Sequence, residues 1–69
     1  MKEIKIKTEF IKLQQLLKLA GLVDQGSDAK LYITDGLVTV NDIIVTERGK
    51  KVYPGDIISL KGQKKIKVI

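Results

Sequence analysis

An α+β fold, with two short helices packed on a small antiparallel sheet, is what this 69-residue sequence predicts. Three patterns carry that expectation. Within residues 2–7, charged and apolar side chains alternate strictly from Glu3 to Lys7. Residues 13–20 repeat their apolar side chains at helical spacing. From Val38 onward, short β-type runs are separated by turn dipeptides. The order that results is β-α-α-β-β-β-β, with helices and strands segregated along the chain as in other α+β domains.

The totals narrow what such a chain can do. Sixty-nine residues give one domain, spanning 1–69, with a modest core. Hydrophobic residues make up 43%, too many for a disordered tail and too few for a membrane protein, and no apolar run approaches the ~20 residues of a spanning helix. The opening MKEIKIKTEF lacks an uninterrupted apolar segment, so no signal peptide is expected. The absence of cysteine removes a disulfide scaffold and Cys-ligated zinc, and it fits a cytoplasmic location. With no His, no Cys and only Ser27 and Ser59 as serines, thiol chemistry, imidazole acid–base catalysis and acyl-transfer triads are excluded. The eight carboxylates are scattered beside turn glycines and lysines. A non-catalytic protein is expected, with no cofactor, metal or small-molecule substrate. The net charge of +5 and pI near 9.6 direct attention to polyanionic partners.

In KEIKIK, Ile4 and Ile6 share one face and Glu3, Lys5 and Lys7 the other, which is a half-buried strand over 2–7. Lysines on an exposed edge strand discourage edge-to-edge pairing. In the next segment Leu13, Leu16, Leu17 and Ala20 fall on one arc of a helical wheel, opposite Gln14, Gln15 and Lys18. Ile11 lies off that arc, so the helix is expected to start near Lys12, with Phe10 and Ile11 packing against its base; Thr8 is an alternative, earlier N-cap. Gly21 ends the helix in the left-handed region. A second helix begins at Gly26 or Ser27, places Asp28 in its first turn, presents Ala29, Tyr32 and Ile33 as its apolar stripe, and closes at Asp35-Gly36.

The stretch GLVTVNDIIVTERGKK follows. Asn41 and Asp42 tolerate the positive φ of a two-residue primed turn, so Val38–Val40 and Ile43–Val45 form a β-hairpin. Pairing across that turn sets Val40 opposite Ile43 and Val38 opposite Val45, all four toward the core, with Thr39 and Ile44 outside. The hairpin runs out into Arg48-Gly49-Lys50-Lys51, three cations with a glycine to bend them. Tyr53-Pro54-Gly55-Asp56 matches a type II turn. Ile57–Leu60 is a strand, Lys61-Gly62-Gln63-Lys64 a turn, and 66–69 a last strand on the edge of the sheet. A hairpin delivering a basic loop to the surface points to a nucleic-acid-binding module.

Five segments in order now share one resemblance: Leu13-x-x-Leu16-Leu17-Lys18-x-Ala20-Gly21, Gly26-Ser27-x-Ala29-Lys30-x-x-Ile33, Gly36-x-Val38-x-Val40-Asn41, Arg48-Gly49-Lys50-Lys51-Val52 and Pro54-Gly55-Asp56. Together they resemble the ribosomal-protein S-four-type RNA-binding domain, or alpha-L motif, over a core of about residues 12–60. The whole chain is similar to the small stand-alone bacterial members, in which a strand precedes the domain. The resemblance implies binding of structured RNA, in particular ribosomal RNA or a ribosome precursor, through the helical corner and the loop after the hairpin. By motif position it nominates Lys12 (where many members have Arg), Lys30, Arg48, Lys50 and Lys51. The sequence departs from the family pattern at Gly26, where many members have Arg, at Asp42, where the turn usually has Gly, and at Gln25, where a Ser or Thr cap is usual.

Elementary chemistry agrees on those cations. Arg offers a planar fork to phosphate, and A-form RNA hides its base edges, so a small rigid domain reads shape and backbone. Clustered cations in a loop repel one another unless a polyanion is near. The aromatic residues Phe10, Tyr32 and Tyr53 show no stacking-platform pattern. The lysines at 61, 64, 65 and 67 are expected to be solvated charges. Two other classes compete with RNA binding by a monomer. A sulfur carrier or ubiquitin-like protein shares the VN…PGDII run but requires a C-terminal Gly-Gly, where this chain has Lys67-Val68-Ile69. A protein-interaction module would use an outward Ile44 and Leu31, and single exposed apolar residues are ordinary.

Overall fold

Helix α1 spans Leu13–Leu19 and helix α2 spans Gly26–Thr34 in the computed structural model, which describes residues 1–23, 25–61 and 64–69. The apolar arc of α1 is fully used: Leu13, Leu16 and Leu17 have no exposed surface, and Ala20 is buried just beyond. Both helices stop in the same way. Gly21 (φ 75°) donates its N–H to the Lys18 carbonyl while Leu22 donates to Leu17; Gly36 (φ 76°) donates to Ile33 while Leu37 donates to Tyr32. These paired bonds satisfy carbonyls the helices would otherwise leave open, and they need a left-handed residue that glycine supplies without strain. At the end of α1 the Lys2 ammonium also donates to the Ala20 carbonyl at 3.0 Å, a cation on the negative end of the helix.

The strands are β1 (Lys2–Ile4), β2 (Ile11–Lys12), β3 (Val38–Val40), β4 (Ile43–Ile44), β5 (Lys51–Val52), β6 (Ile57–Leu60) and β7 (Lys64–Val68). Five of them form one sheet in the order β1-β7-β6-β3-β4. Three of its pairs are antiparallel, but β1 runs parallel to β7, so the expected all-antiparallel sheet is mixed. The pairing direction follows from topology: β1 reaches the sheet's free side from the end where β7 also starts. It also moves the edge. The final strand lies between β1 and β6, and β1 with its alternating charges takes the exposed position. The β1 ladder continues beyond Ile4, with Ile69 donating to Ile4 and Ile6 donating to Ile69. The expected turn after Leu60 includes Gly62 and Gln63, which lie outside the described residues.

Val38, Val40, Ile58, Leu60 and Val68 line one sheet face and pack in one cluster with Ala29, Ile33 and the α1 leucines, so the two helices and the sheet share one core; Ile66, opposite Ile58, is buried as well. The hairpin turn has the expected form, with Asn41 at φ 52° and Asp42 at φ 68°. Ile43, however, is 69% exposed and is not a core residue. Its parity is as expected, opposite Val40. But β4 is a two-residue edge strand, and Ile43 sits at the hairpin tip where neither helix covers it.

The Asn41 side chain does more than turn the chain. Its Nδ2 donates to Asp56 Oδ1 (3.0 Å), its Oδ1 accepts from the Ile57 N–H (3.0 Å), and its backbone N–H donates to the Ile57 carbonyl (2.7 Å). Asp56 Oδ2 in turn accepts from the Tyr53 N–H (2.9 Å), closing the Tyr53-Pro54-Gly55-Asp56 turn that Gly55 (φ 99°) and the Asp56 N–H to Tyr53 carbonyl bond already define. The VN and PGD segments are therefore two halves of one clamp.

Candidate nucleic-acid interface

The site is assembled by two strands too short to show any period. Ile11–Lys12 pairs antiparallel with Lys51–Val52, Ile11 opposite Val52 and Lys12 opposite Lys51. This second sheet, absent from the sequence-based order, continues directly into α1. The Leu13 N–H donates to the Lys50 carbonyl at 2.9 Å and the Gln14 N–H to the Arg48 carbonyl at 3.4 Å. The first N–H groups of a helix have no partner inside it, and Lys12, the N-cap residue, makes no side-chain cap. The carbonyls of the basic loop supply that cap. The loop backbone is thereby bonded to the start of α1, while the side chains of Lys12, Arg48, Lys50 and Lys51 all remain exposed.

Strand parity divides this ribbon. Val52 is buried and Ile11 half-buried against the core. Their neighbours Phe10, Lys12, Lys51 and Tyr53 take the other side. There the Phe10 and Tyr53 rings lie 5.9 Å apart at 51°, and the Lys51 ammonium stands 4.8 Å from the Phe10 ring centre. Two lysines directly opposite each other destabilise a strand pair. Here Ile11–Val52 packing and the helix-cap bonds hold the pair together regardless, and Lys51 rests on an aromatic face that attracts a cation.

The backbone segments that carry four of the five nominated residues are thus brought together. Lys12, Arg48, Lys50 and Lys51 are gathered by the ribbon and the cap. Lys30 is exposed on α2, its carbonyl accepting from Thr34 Oγ1, and among the described residues no hydrogen bond or strand pair joins it to the loop. Gly49 does not bend the loop through positive φ, and a Cβ there would meet nothing within 4 Å. The aromatic residues are also arranged differently from expectation. Tyr32 stands apart under Lys61, at 4.8 Å, but Phe10 and Tyr53 are brought side by side next to the cations. Between Tyr53 and the hairpin tip lies an open depression of about 260 Å³ lined by Val40, Ile43, Val45, Lys50 and Lys51, with the Asn41–Asp56 clamp at its side. The signal for this grouping was the spacing Phe10-x-Lys12 and Lys51-x-Tyr53, which becomes meaningful only once the two segments are known to pair.

The S4 domain family model matches residues 4–69. The chain belongs to the S4 domain family. A Bacillus subtilis (strain 168) relative, named "Probable ribosome maturation protein RlbA", is 42% identical over 59 residues, covering 86% of this chain and 83% of that protein. YbcJ of Escherichia coli K12 is 35% identical over 52 residues, covering 75% and 74%. The solution structure of E. coli YbcJ, described as revealing an αL motif involved in RNA-binding, superposes with a TM-score of 0.77 at 30% identity, covering all of this chain and 87% of that one. Two helices on a mostly antiparallel sheet are thus the alpha-L fold that the five sequence segments resemble.

Proposed function

We propose that this S4-family chain is a non-catalytic RNA-binding protein that acts as one unit over residues 1–69 and engages structured RNA by backbone and shape. The observation that carries this reading is the capping of α1 by the Arg48 and Lys50 carbonyls, which fixes the loop backbone and leaves Lys12, Arg48, Lys50 and Lys51 facing solvent. Pre-ordered cations lose little freedom when they meet phosphates, and Arg48 can grip one in bidentate fashion. Lys30, on the other helix of the corner, is a secondary contact. Ribosomal RNA or a ribosome precursor is the target class, supported by the name of the B. subtilis relative. The protein acts as a cytoplasmic monomer, without a cofactor or small-molecule substrate. Among the described residues no helix is long and apolar enough to cross a membrane.

Reversing Arg48, Lys50 and Lys51 together to Glu tests the site. Binding to ribosomal RNA fragments is expected to disappear in a filter or anisotropy assay while the circular dichroism spectrum stays unchanged; retained binding would sink the assignment. Crosslinking the tagged protein in cells and sequencing the attached RNA tests the target class. Ribosomal RNA or its precursors should dominate the recovered sequences, and their absence among otherwise abundant RNA would move the function off the ribosome.

A further inference from the structure

Phosphate contact accounts for the cations but not for the apolar surface beside them. Ile43 is 69% exposed and Tyr53 43% exposed, and both face one depression whose rim carries Lys50 and Lys51. A single exposed apolar side chain is ordinary, but here Ile43 and Tyr53 share one lining with Val40 and Val45, and contiguous exposed apolar surface marks a contact site. The opening of about 260 Å³ is smaller than the ~300–1,000 Å³ of sites for whole small ligands. Its lining suits a single flat group, since it combines the aromatic ring of Tyr53 with the branched aliphatic side chains of Ile43, Val40 and Val45. The Tyr53 ring is held in place. Its backbone N–H is bonded to Asp56 Oδ2, and Phe10 buttresses the ring at 5.9 Å. Both oxygens of the Asp56 carboxylate are engaged inside the clamp, by Asn41 Nδ2 and the Tyr53 N–H.

We infer that this depression is a seat for one unpaired nucleobase, stacked on Tyr53 against Ile43, with the phosphates flanking that base on Lys50 and Lys51. The inference rests on the RNA-binding reading and adds to it. A paired stem offers only its backbone to the loop, whereas a bulged or looped-out nucleotide offers a π-face to Tyr53 as well. Base–aromatic stacking tolerates any base, so the seat selects RNA secondary structure and not sequence. Phe10 is a positioning residue here, since it supports Tyr53 and its own face is taken by the Lys51 ammonium.

Two RNA stem-loops identical except for one bulged 2-aminopurine nucleotide provide the test. The wild-type protein is expected to bind the bulged stem about tenfold more tightly than the paired one, with quenching of the bulged base's fluorescence. Tyr53→Ala should bring the bulged stem down to the paired-stem affinity and abolish the quench; Tyr53→Phe should keep both. Because Tyr53 is an exposed ring outside the core, the Ala variant should give the wild-type circular dichroism spectrum. Equal affinity of the wild type for the two stems, or a preference and quench that survive Tyr53→Ala, overturns the seat while leaving the RNA-binding reading intact. Failure of the wild type to bind either stem or any ribosomal RNA fragment overturns both.

Discussion

The turn at Asn41-Asp42 and the loop at Arg48–Lys51 lie close together in sequence and are held in opposite ways. In the turn a side chain fixes the fold: Asn41 reaches across to Asp56 and to the Ile57 N–H. In the loop the backbone fixes the fold, through carbonyls that cap α1, and the cationic side chains stay exposed, Lys51 resting on the Phe10 ring. A protein of this size has few ordered elements from which to build both a scaffold and a contact surface. Separating the two tasks by atom type lets the loop be rigid and still present its cations to a ligand.

That contrast can be broken by single substitutions. The largest effect is expected for Asn41→Ala, which removes two side-chain hydrogen bonds and places Ala at a φ of 52°. Stability should fall by about 2 kcal/mol in urea unfolding, with affinity for a fully paired RNA stem unchanged wherever the protein remains folded. Asp56→Ala should lose less, and the double mutant should show a coupling of about 1 kcal/mol with Asn41; simple additivity would mean the clamp does not act as a unit. Lys51→Ala should do the reverse, weakening RNA binding several-fold while leaving the unfolding midpoint unchanged or slightly raised, since a like-charge pair is relieved. The smallest effect belongs to Gly49→Ala. With open space around its Cβ and no positive φ to satisfy, the stability change should stay within about 0.5 kcal/mol. A large loss there would show that the loop backbone is more constrained than the cap bonds indicate.

The parts of the fold that were legible in the sequence are those set by residues a few positions apart. The buried arc of α1, the glycine stops at Gly21 and Gly36, the primed turn at Asn41-Asp42 and the type II turn at Gly55 are all local chemistry, and all are as read. What escaped depends on residues far apart. Strands of two residues carry no alternation, so β2 and β5 could not be seen until Ile11 met Val52. Alternation assigned Ile43 the right face, yet parity says nothing about whether another element covers that face at a sheet edge. The direction of β1 against β7 depends on where the chain re-enters the sheet, which no periodicity encodes. For the candidate site, motif position identified the cations individually. Their assembly with Phe10 and Tyr53 required the register of a pairing that spans some forty residues.

One feature of that pairing links the protein's stability to its surroundings. Lys12 and Lys51 stand opposite each other on an exposed ribbon, so the unliganded protein carries an electrostatic penalty that dissolved ions screen. The same ions compete for RNA phosphates, with log K falling by about 0.7–0.9 per log unit of salt for each phosphate neutralised. Raising ionic strength therefore steadies the empty protein and loosens its complex. In dilute buffer the order inverts, and RNA itself becomes the counterion that the ribbon lacks.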